Sequence, residues 1–170
     1  VFSLATVCPQ AADITSEFAH KGEITQLDYL LNGELVQWQG ELSPVVSPIY
    51  IRNCDSLQQV VLGHTPLLDG ETALKALDSA VKAYDLGRGA WPTMAVLERI
   101  QHVEKFLGLM QLQRAEVIRL LMWEIGKTYP DAAKEFDRTC DYIRDTIEAL
   151  KQQDRDASHF IIEQGSLGKI

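Results

Sequence analysis

Arg138 is the residue best placed to do chemistry in this chain, with Glu135 three positions before it and Thr139 directly after. A guanidinium presents a planar fork of N–H donors that fits phosphate or carboxylate oxygens. On a helix, Arg138 lies roughly 160 to 200° around the axis from Phe136 and Cys140. Those two belong to an apolar stripe, so Arg138 points away from the packed face. One reading is a surface arginine paired with Asp141, worth about 0.2–0.5 kcal/mol. The other is an arginine that holds an anion. Two further segments are of interest because core packing does not dictate their residues. They are Gly87-Arg88-Gly89-Ala90-Trp91-Pro92-Thr93 and Trp123-Glu124-Ile125-Gly126-Lys127.

Other reactive residues have plainer readings. Cys140 occupies an apolar stripe position with no histidine near it in sequence, which suits a small buried hydrophobe. Glu124 and Glu135 resemble a general-base pair only superficially and read as helix-surface charges. Gly126-Lys127-Thr128 lacks the earlier glycine of a phosphate loop, because Leu121 stands there, inside a helical pattern. Gly87-Arg88-Gly89 follows a helix rather than a strand, so it is not a dinucleotide fingerprint. His20, His64, His102 and His159 are widely separated, and none has a second metal-type ligand at helical spacing. No metal site is expected.

The chain has 170 residues and a net charge of -8. That length suits about one domain, and that charge argues against nucleic acid, which needs clustered Lys and Arg. Cys8, Cys54 and Cys140 are too few and too scattered for a disulfide framework and suit a reducing cytoplasm. Val1 to Ala5 is mildly apolar without a basic stretch before it, so no secretory signal is expected. No apolar run approaches the ~20 residues of a membrane span.

The elements that must position Arg138 follow from periodicity. Residues 1–27 are weakly patterned, with a short helix expected over Asp13 to His20. Asn32-Gly33, between apolar runs, is a strong hairpin signal, and a second turn follows at Gln39-Gly40. Ser43-Pro44 and Ser47-Pro48 are expected to break the strand pattern. Ser56 to Leu62 reads as another strand.

Four helices come next. The first starts at Asp69 or Gly70, with Leu74, Leu77, Val81 and Tyr84 on one face, and Gly87-Arg88-Gly89 stops it. Trp91 precedes a proline and is expected to be extended, with Thr93 capping the second helix. That helix buries Leu97, Ile100, Val103 or Phe106, Leu107 and Met110. The third runs from about Arg114 to Ile125, with Val117, Leu120 and Leu121 inward and Gly126 as its left-handed stop. Pro130 opens the fourth, whose Ala133, Phe136, Cys140, Ile143, Ile147 and Leu150 form the most regular stripe. His159 to Ile162 reads as a lone strand needing a partner from elsewhere. No internal repeat or low-complexity linker is present.

Over residues 28–170 the three segments together resemble the amino-terminal portion of the aldehyde dehydrogenase superfamily. They are most similar to its NADP-dependent, non-phosphorylating glyceraldehyde-3-phosphate dehydrogenase branch. Gly-Arg-Gly leading to Trp-Pro, a Glu-x-Gly-Lys helix end, and Glu-x-x-Arg-Thr carry the resemblance. Thr128 departs from the proline usual after that Gly-Lys. The fold class implied is mainly α with a small antiparallel β-hairpin element, as the amino-terminal part of an α/β subunit. The domain division implied is 1–27 and 28–170.

The resemblance implies oxidation of an aldehyde, glyceraldehyde 3-phosphate, to the acid with NADP (NAD being possible). A cysteine thiolate would add to the carbonyl, hydride would pass to the nicotinamide, and water would cleave the thioester. The family's cysteine nucleophile, glutamate base, oxyanion asparagine and cofactor-contacting residues have no match here. The 170 residues alone are therefore expected to be inactive. In that family the arginine matching Arg138 is part of the substrate site. A cytoplasmic homo-oligomer without membrane or nucleic-acid partners is implied for the complete enzyme. The alternative is a non-enzymatic helical binding or scaffold module.

Overall fold

The computed structural model describes residues 7–54, 56–158, 160–163 and 166–169, the last two stretches as backbone only. His159 and residues 1–6, on which two of the sequence expectations fall, lie outside the described residues.

The β part is larger than a small hairpin. β1 (Ile24–Thr25), β4 (Leu42–Asn53) and β5 (Ser56–Pro66) form a sheet in the order β1-β5-β4. β4 and β5 are antiparallel, with Leu42 opposite Pro66 and Asn53 opposite Ser56, and β1 runs parallel to β5. The expected hairpin is β2 (Asp28–Leu31) with β3 (Glu34–Gln37), and it turns on Asn32 at φ 52° and Gly33 at φ 82°.

The two Ser-Pro pairs do not end a strand. Both lie within β4, and the register slips between Val45 and Val46 and again between Val46 and Tyr50. A proline cannot donate to the ladder, so the strand accommodates Pro48 by an irregularity rather than by stopping. The slip sends Ser47 into the interior, where it is fully buried. Its hydroxyl donates to the Trp123 carbonyl and accepts from the Ile49 N–H.

Five helices follow: α1 (Gly70–Tyr84), α2 (Ala90–Thr93), α3 (Val96–Leu112), α4 (Arg114–Ile125) and α5 (Tyr129–Ala157). The Asp69 carboxylate caps α1 by accepting from the Thr72 N–H at 2.8 Å. Gly89 is needed for close approach, since a Cβ there would overlap the Ala83 carbonyl oxygen.

Trp91 is not extended and Thr93 does not cap. The chain makes a single helical turn over Ala90–Thr93, closed by the Thr93 hydroxyl and N–H on the Gly89 carbonyl. Pro92 is tolerated because the first turn needs no N–H from it. Ala95 then starts α3, its N–H held by the Glu98 carboxylate. No α-helix spans Asp13 to His20. A 3₁₀ turn at Ala11–Asp13 and short local turns take its place, and Phe18 ties the stretch to Trp123 and Tyr129 on the helical body.

α4 lies between β4 and α5, and α3 packs beside α5. The core is Leu107, Ile118, Ala132, Phe136 and Cys140, with Val117, Leu121 and Ile143 packed against it. The fourth-helix stripe is therefore the buried one. On α4 the deepest residues are Ile118, Arg119 and Trp123; the expected Leu120 is half-buried, while Val117 and Leu121 pack against the core. On α3, Ile100 and Leu107 are buried, while Leu97 and Phe106 face solvent.

The α1 stripe is correctly spaced but uncovered. Leu74, Leu77, Val81 and Tyr84 are each 59–63% exposed. α1 is held instead from β2, where the Asn32 N–H donates to Ser79 Oγ at 3.0 Å. The final strand is not lone either: β6 (Phe160–Glu163) pairs antiparallel with β7 (Ser166–Lys169). The next strand in the chain supplies the partner that the sequence pattern did not show.

Gly126 joins α4 to the turn before α5 at φ 69°. A Cβ there meets only Pro48 Cγ at 3.6 Å, so space is not the constraint. Gly126→Ala should cost about 1–2 kcal/mol through left-handed backbone strain alone. Gly126→Asn should cost less. Chemical denaturation of the two variants checks this, and equal stability to the parent would contradict it.

Candidate functional site

The site is built on the first half of α5. Thr128 caps that helix by accepting from the Asp131 N–H, and its hydroxyl donates to the Asp131 carboxylate at 2.7 Å. Pro130 sits in the first turn, where its missing N–H costs nothing. These caps fix the direction in which Lys134, Glu135, Arg138 and Tyr142 project. With Lys127, Asp131 and Thr139 they line an open concavity of about 550 Å³.

Arg138 does not pair with Asp141, because Asp141 binds Arg144 at 2.7 Å. The Arg138 guanidinium lies over the Tyr142 ring, 5.4 Å from its centroid. Its Nη2 donates to the Tyr142 hydroxyl at 3.0 Å. The neighbouring carboxylates are already committed. Glu135 pairs with Lys127, Asp137 with Arg114, and Asp131 accepts from Thr128. Arg138 and Lys134 thus reach the concavity without a carboxylate partner among the described residues. The Thr139 hydroxyl is turned back to the Glu135 carbonyl at 2.9 Å and offers no free donor.

The pair Arg114–Asp137 holds α4 to α5 on the flank of this site. Nε and Nη2 of Arg114 donate to the two Asp137 oxygens at 2.8 and 2.7 Å. These hydrogen bonds hold the Asp137 carboxyl below its ordinary value of 3.8, with attraction to the Arg114 charge adding to the effect. The same pairing raises the Arg114 guanidinium.

A second groove, about 380 Å³, adjoins the first through Thr139 and Tyr142. It runs between α3 and α5 and is walled by Ile100, Val103, Ile143 and Ile147, with Arg99 on its edge.

The structure does not bring the other reactive residues together. Cys140 is 3% exposed inside the core cluster. Glu124 is near His64 and Gly63, in a different pocket from Glu135. Gly126 ends a helix, Lys127 forms an ion pair and Thr128 caps, so that triplet is structural. Among the described residues no three His, Cys, Asp or Glu could hold a metal. Among the described residues no glycine-rich strand-to-helix turn could cradle a dinucleotide, since Gly87 to Gly89 links two helices. Sequence reasoning missed Tyr142, although its i+4 spacing from Arg138 was a usable signal. It also missed Arg99, whose place on a groove edge depends on how α3 meets α5.

These helices and their order match known proteins. The aldehyde dehydrogenase family model matches residues 47–167. The chain belongs to the aldehyde dehydrogenase family. A malonate-semialdehyde dehydrogenase of Pseudomonas aeruginosa is 33% identical over 112 residues, which is 66% of this chain and 20% of that protein. A malonate-semialdehyde dehydrogenase of Bacillus cereus strain AH187 is 29% identical over 117 residues, 68% of this chain and 22% of that protein. The chain thus spans about a fifth of the length of these relatives.

The lactaldehyde dehydrogenase of Escherichia coli superposes with a TM-score of 0.63 at 23% identity, covering 85% of this chain and 27% of that one. Aldehyde dehydrogenase 21 of Physcomitrella patens, solved with succinate, gives 0.63 at 21% identity over the same shares. The fold is therefore that of part of an α/β aldehyde dehydrogenase subunit. The relatives are not specifically glyceraldehyde-3-phosphate dehydrogenases.

Two outcomes test the geometry. Native Cys140 should react with a thiol reagent far more slowly than exposed Cys54, as peptide mapping after timed labelling will show; comparable rates would contradict its burial. The Arg114–Asp137 pair should contribute stability above the ordinary carboxylate range and lose it as pH falls through the lowered value of Asp137. The melting-temperature gap between the parent and Asp137→Asn should therefore persist at pH 3.8 and close only below it. A gap already closed at pH 5 would show that the carboxyl is not held down.

Proposed function

We propose that this chain is the amino-terminal portion of an NADP- or NAD-dependent enzyme that oxidises a short aldehyde bearing an anionic end. Arg138 is the residue that binds that end. The observation that carries this reading is the concavity on α5, where Arg138 and Lys134 present charge while every neighbouring carboxylate is committed elsewhere. Tyr142 supports the guanidinium by stacking and by accepting one hydrogen bond, leaving other N–H donors for a ligand.

Two anions suit this chemistry. Glyceraldehyde 3-phosphate follows from the Arg138-Thr139 and Gly-Arg-Gly resemblance. A carboxylate-bearing semialdehyde follows from the names of the relatives, and a single forked arginine suits it well. The semialdehyde is the better supported of the two. The nucleophile, the base and the cofactor cradle belong to parts of the family subunit outside these residues. The 170 residues form a helical shell whose uncovered α1 stripe fits a face made to be buried. We read the complete enzyme as a cytoplasmic homo-oligomer, a reading that the few, scattered cysteines Cys8, Cys54 and Cys140 support. No described helix is long and apolar enough to cross a membrane. No specific observation favours the scaffold-module reading.

In the full-length protein, Arg138→Ala should raise KM for malonate semialdehyde or glyceraldehyde 3-phosphate by about 10- to 100-fold, the range for a hydrogen bond to a charged group. KM for an uncharged aldehyde such as propanal should change by less than about twofold. Steady-state kinetics on the three aldehydes decides the matter, since equal effects on charged and uncharged substrates would remove Arg138 from the substrate site. The parent enzyme's relative kcat/KM for the two anions identifies the substrate.

A further inference from the structure

The hydrogen bond between Arg138 and Tyr142 leaves one proton without a partner. Arg138 Nη2 donates to the Tyr142 hydroxyl oxygen at 3.0 Å. A guanidinium has donors and no acceptor, so the phenol accepts in this bond and its own O–H must turn elsewhere. Among the described residues nothing accepts that proton. Asp141 is held by Arg144, and the Thr146 hydroxyl is spent on the Tyr142 backbone carbonyl. Tyr142 lines the concavity together with Arg138, and its ring lies under the guanidinium, 5.4 Å from centroid to Cζ. The phenol hydroxyl is thereby placed beside the Arg138 N–H groups that remain unused. The carboxylates of the concavity, Glu135 and Asp131, are engaged by Lys127 and Thr128. What the concavity offers a ligand is therefore donors: the rest of the Arg138 fork, the Lys134 ammonium and one phenol O–H.

We infer that Tyr142 is itself a substrate ligand: its hydroxyl donates to an oxygen of the carboxylate or phosphate that Arg138 holds, and so adds to the preference for aldehydes with an anionic end. The inference rests on the reading of Arg138 given above and goes beyond it, because it gives Tyr142 a contact with the substrate and not with Arg138 alone. A carboxylate or phosphate oxygen has enough lone pairs to meet a guanidinium N–H and a phenol O–H together. A hydrogen bond to an ionised acceptor is roughly twice as strong as one to a neutral group, so an uncharged hydroxyl gains less at this position. The Arg138 charge also draws electron density from the phenol oxygen, which strengthens the O–H as a donor. The stacked ring is already held in place, so little side-chain freedom is lost when the anion arrives.

The test uses the full-length enzyme carrying Tyr142→Phe or Tyr142→3-fluorotyrosine, assayed at about pH 6, where the phenol stays protonated. Phenylalanine keeps the ring and removes the hydroxyl. Fluorine makes the phenol a better donor and a poorer acceptor, so the two roles of the hydroxyl respond with opposite sign. KM is measured for malonate semialdehyde, glyceraldehyde 3-phosphate and propanal, and melting temperatures verify the fold of each variant. Tyr142→Phe should raise KM for an anionic aldehyde by about tenfold or more, and Tyr142→3-fluorotyrosine should lower it by about threefold. KM for propanal should move by less than about twofold in both. A response with only one of the two anions supports the inference and identifies carboxylate or phosphate as the group held. An equal or raised KM in the fluorinated enzyme would mean that the hydroxyl serves Arg138 only as an acceptor, which overturns the inference and leaves the Arg138 reading intact. An unchanged KM in Tyr142→Phe, with Arg138→Ala still impaired, overturns it in the same way. If neither Tyr142→Phe nor Arg138→Ala alters the preference for anions over propanal, both readings fall.

Discussion

The apolar stripe of α5 is the constraint on which the rest depends. Phe136, Cys140 and Ile147 are buried on one side of a 29-residue helix, and the first two meet Leu107 of α3 and Ile118 of α4 in one cluster. Once that face is fixed inward, the opposite face has no freedom. Arg138 must project outward, Tyr142 must follow it one turn later, and the concavity must open on that side. Removing the packing of Phe136 would cost on the order of 3–5 kcal/mol, more than any one charged pair on the surface contributes.

A second set of ties joins the amino-terminal residues to this body. Trp123 is 5% exposed, its Nε1 donates to the Phe18 carbonyl at 2.7 Å, and its own carbonyl accepts from buried Ser47. Phe18 packs on Tyr129 with ring centroids 5.3 Å apart. One tryptophan therefore links the leading segment, the irregular middle of β4 and the start of α5. The residues that frame the site are held by packing and capping, while the charges within it remain free to meet a ligand.

The uneven burial carries the functional meaning. The Phe136 and Cys140 part of the α5 stripe is covered, whereas α1 and the α3–α5 groove present apolar surface without a described partner. Large contiguous patches of this kind mark interaction faces. They fit a chain that matches about a fifth of its relatives and shares their fold over most of its length. Arg138 projects from α5 without a carboxylate partner among the described residues.

The sequence by itself determined the helices, the α5 stripe, the Asn32-Gly33 turn, the Gly126 stop and the outward direction of Arg138. Each of these is a local property, set by backbone dihedrals or by 3.6-residue periodicity. It also carried the family resemblance, in three short segments that packing does not require. Only the tertiary structure decided which stripe was covered, because the α1 and α5 patterns are both spaced for one buried face and differ in what lies opposite. The choice of Arg144 over Arg138 by Asp141 and the helical turn at Trp91 are local, each closed within about one turn of the chain. Tertiary contacts placed Ser47-Pro48 inside β4, where Ser47 meets Trp123, and set Arg99 against a groove between two helices. In both of these a distant neighbour competes with the local preference, and its position is not written in the spacing of residues along the chain.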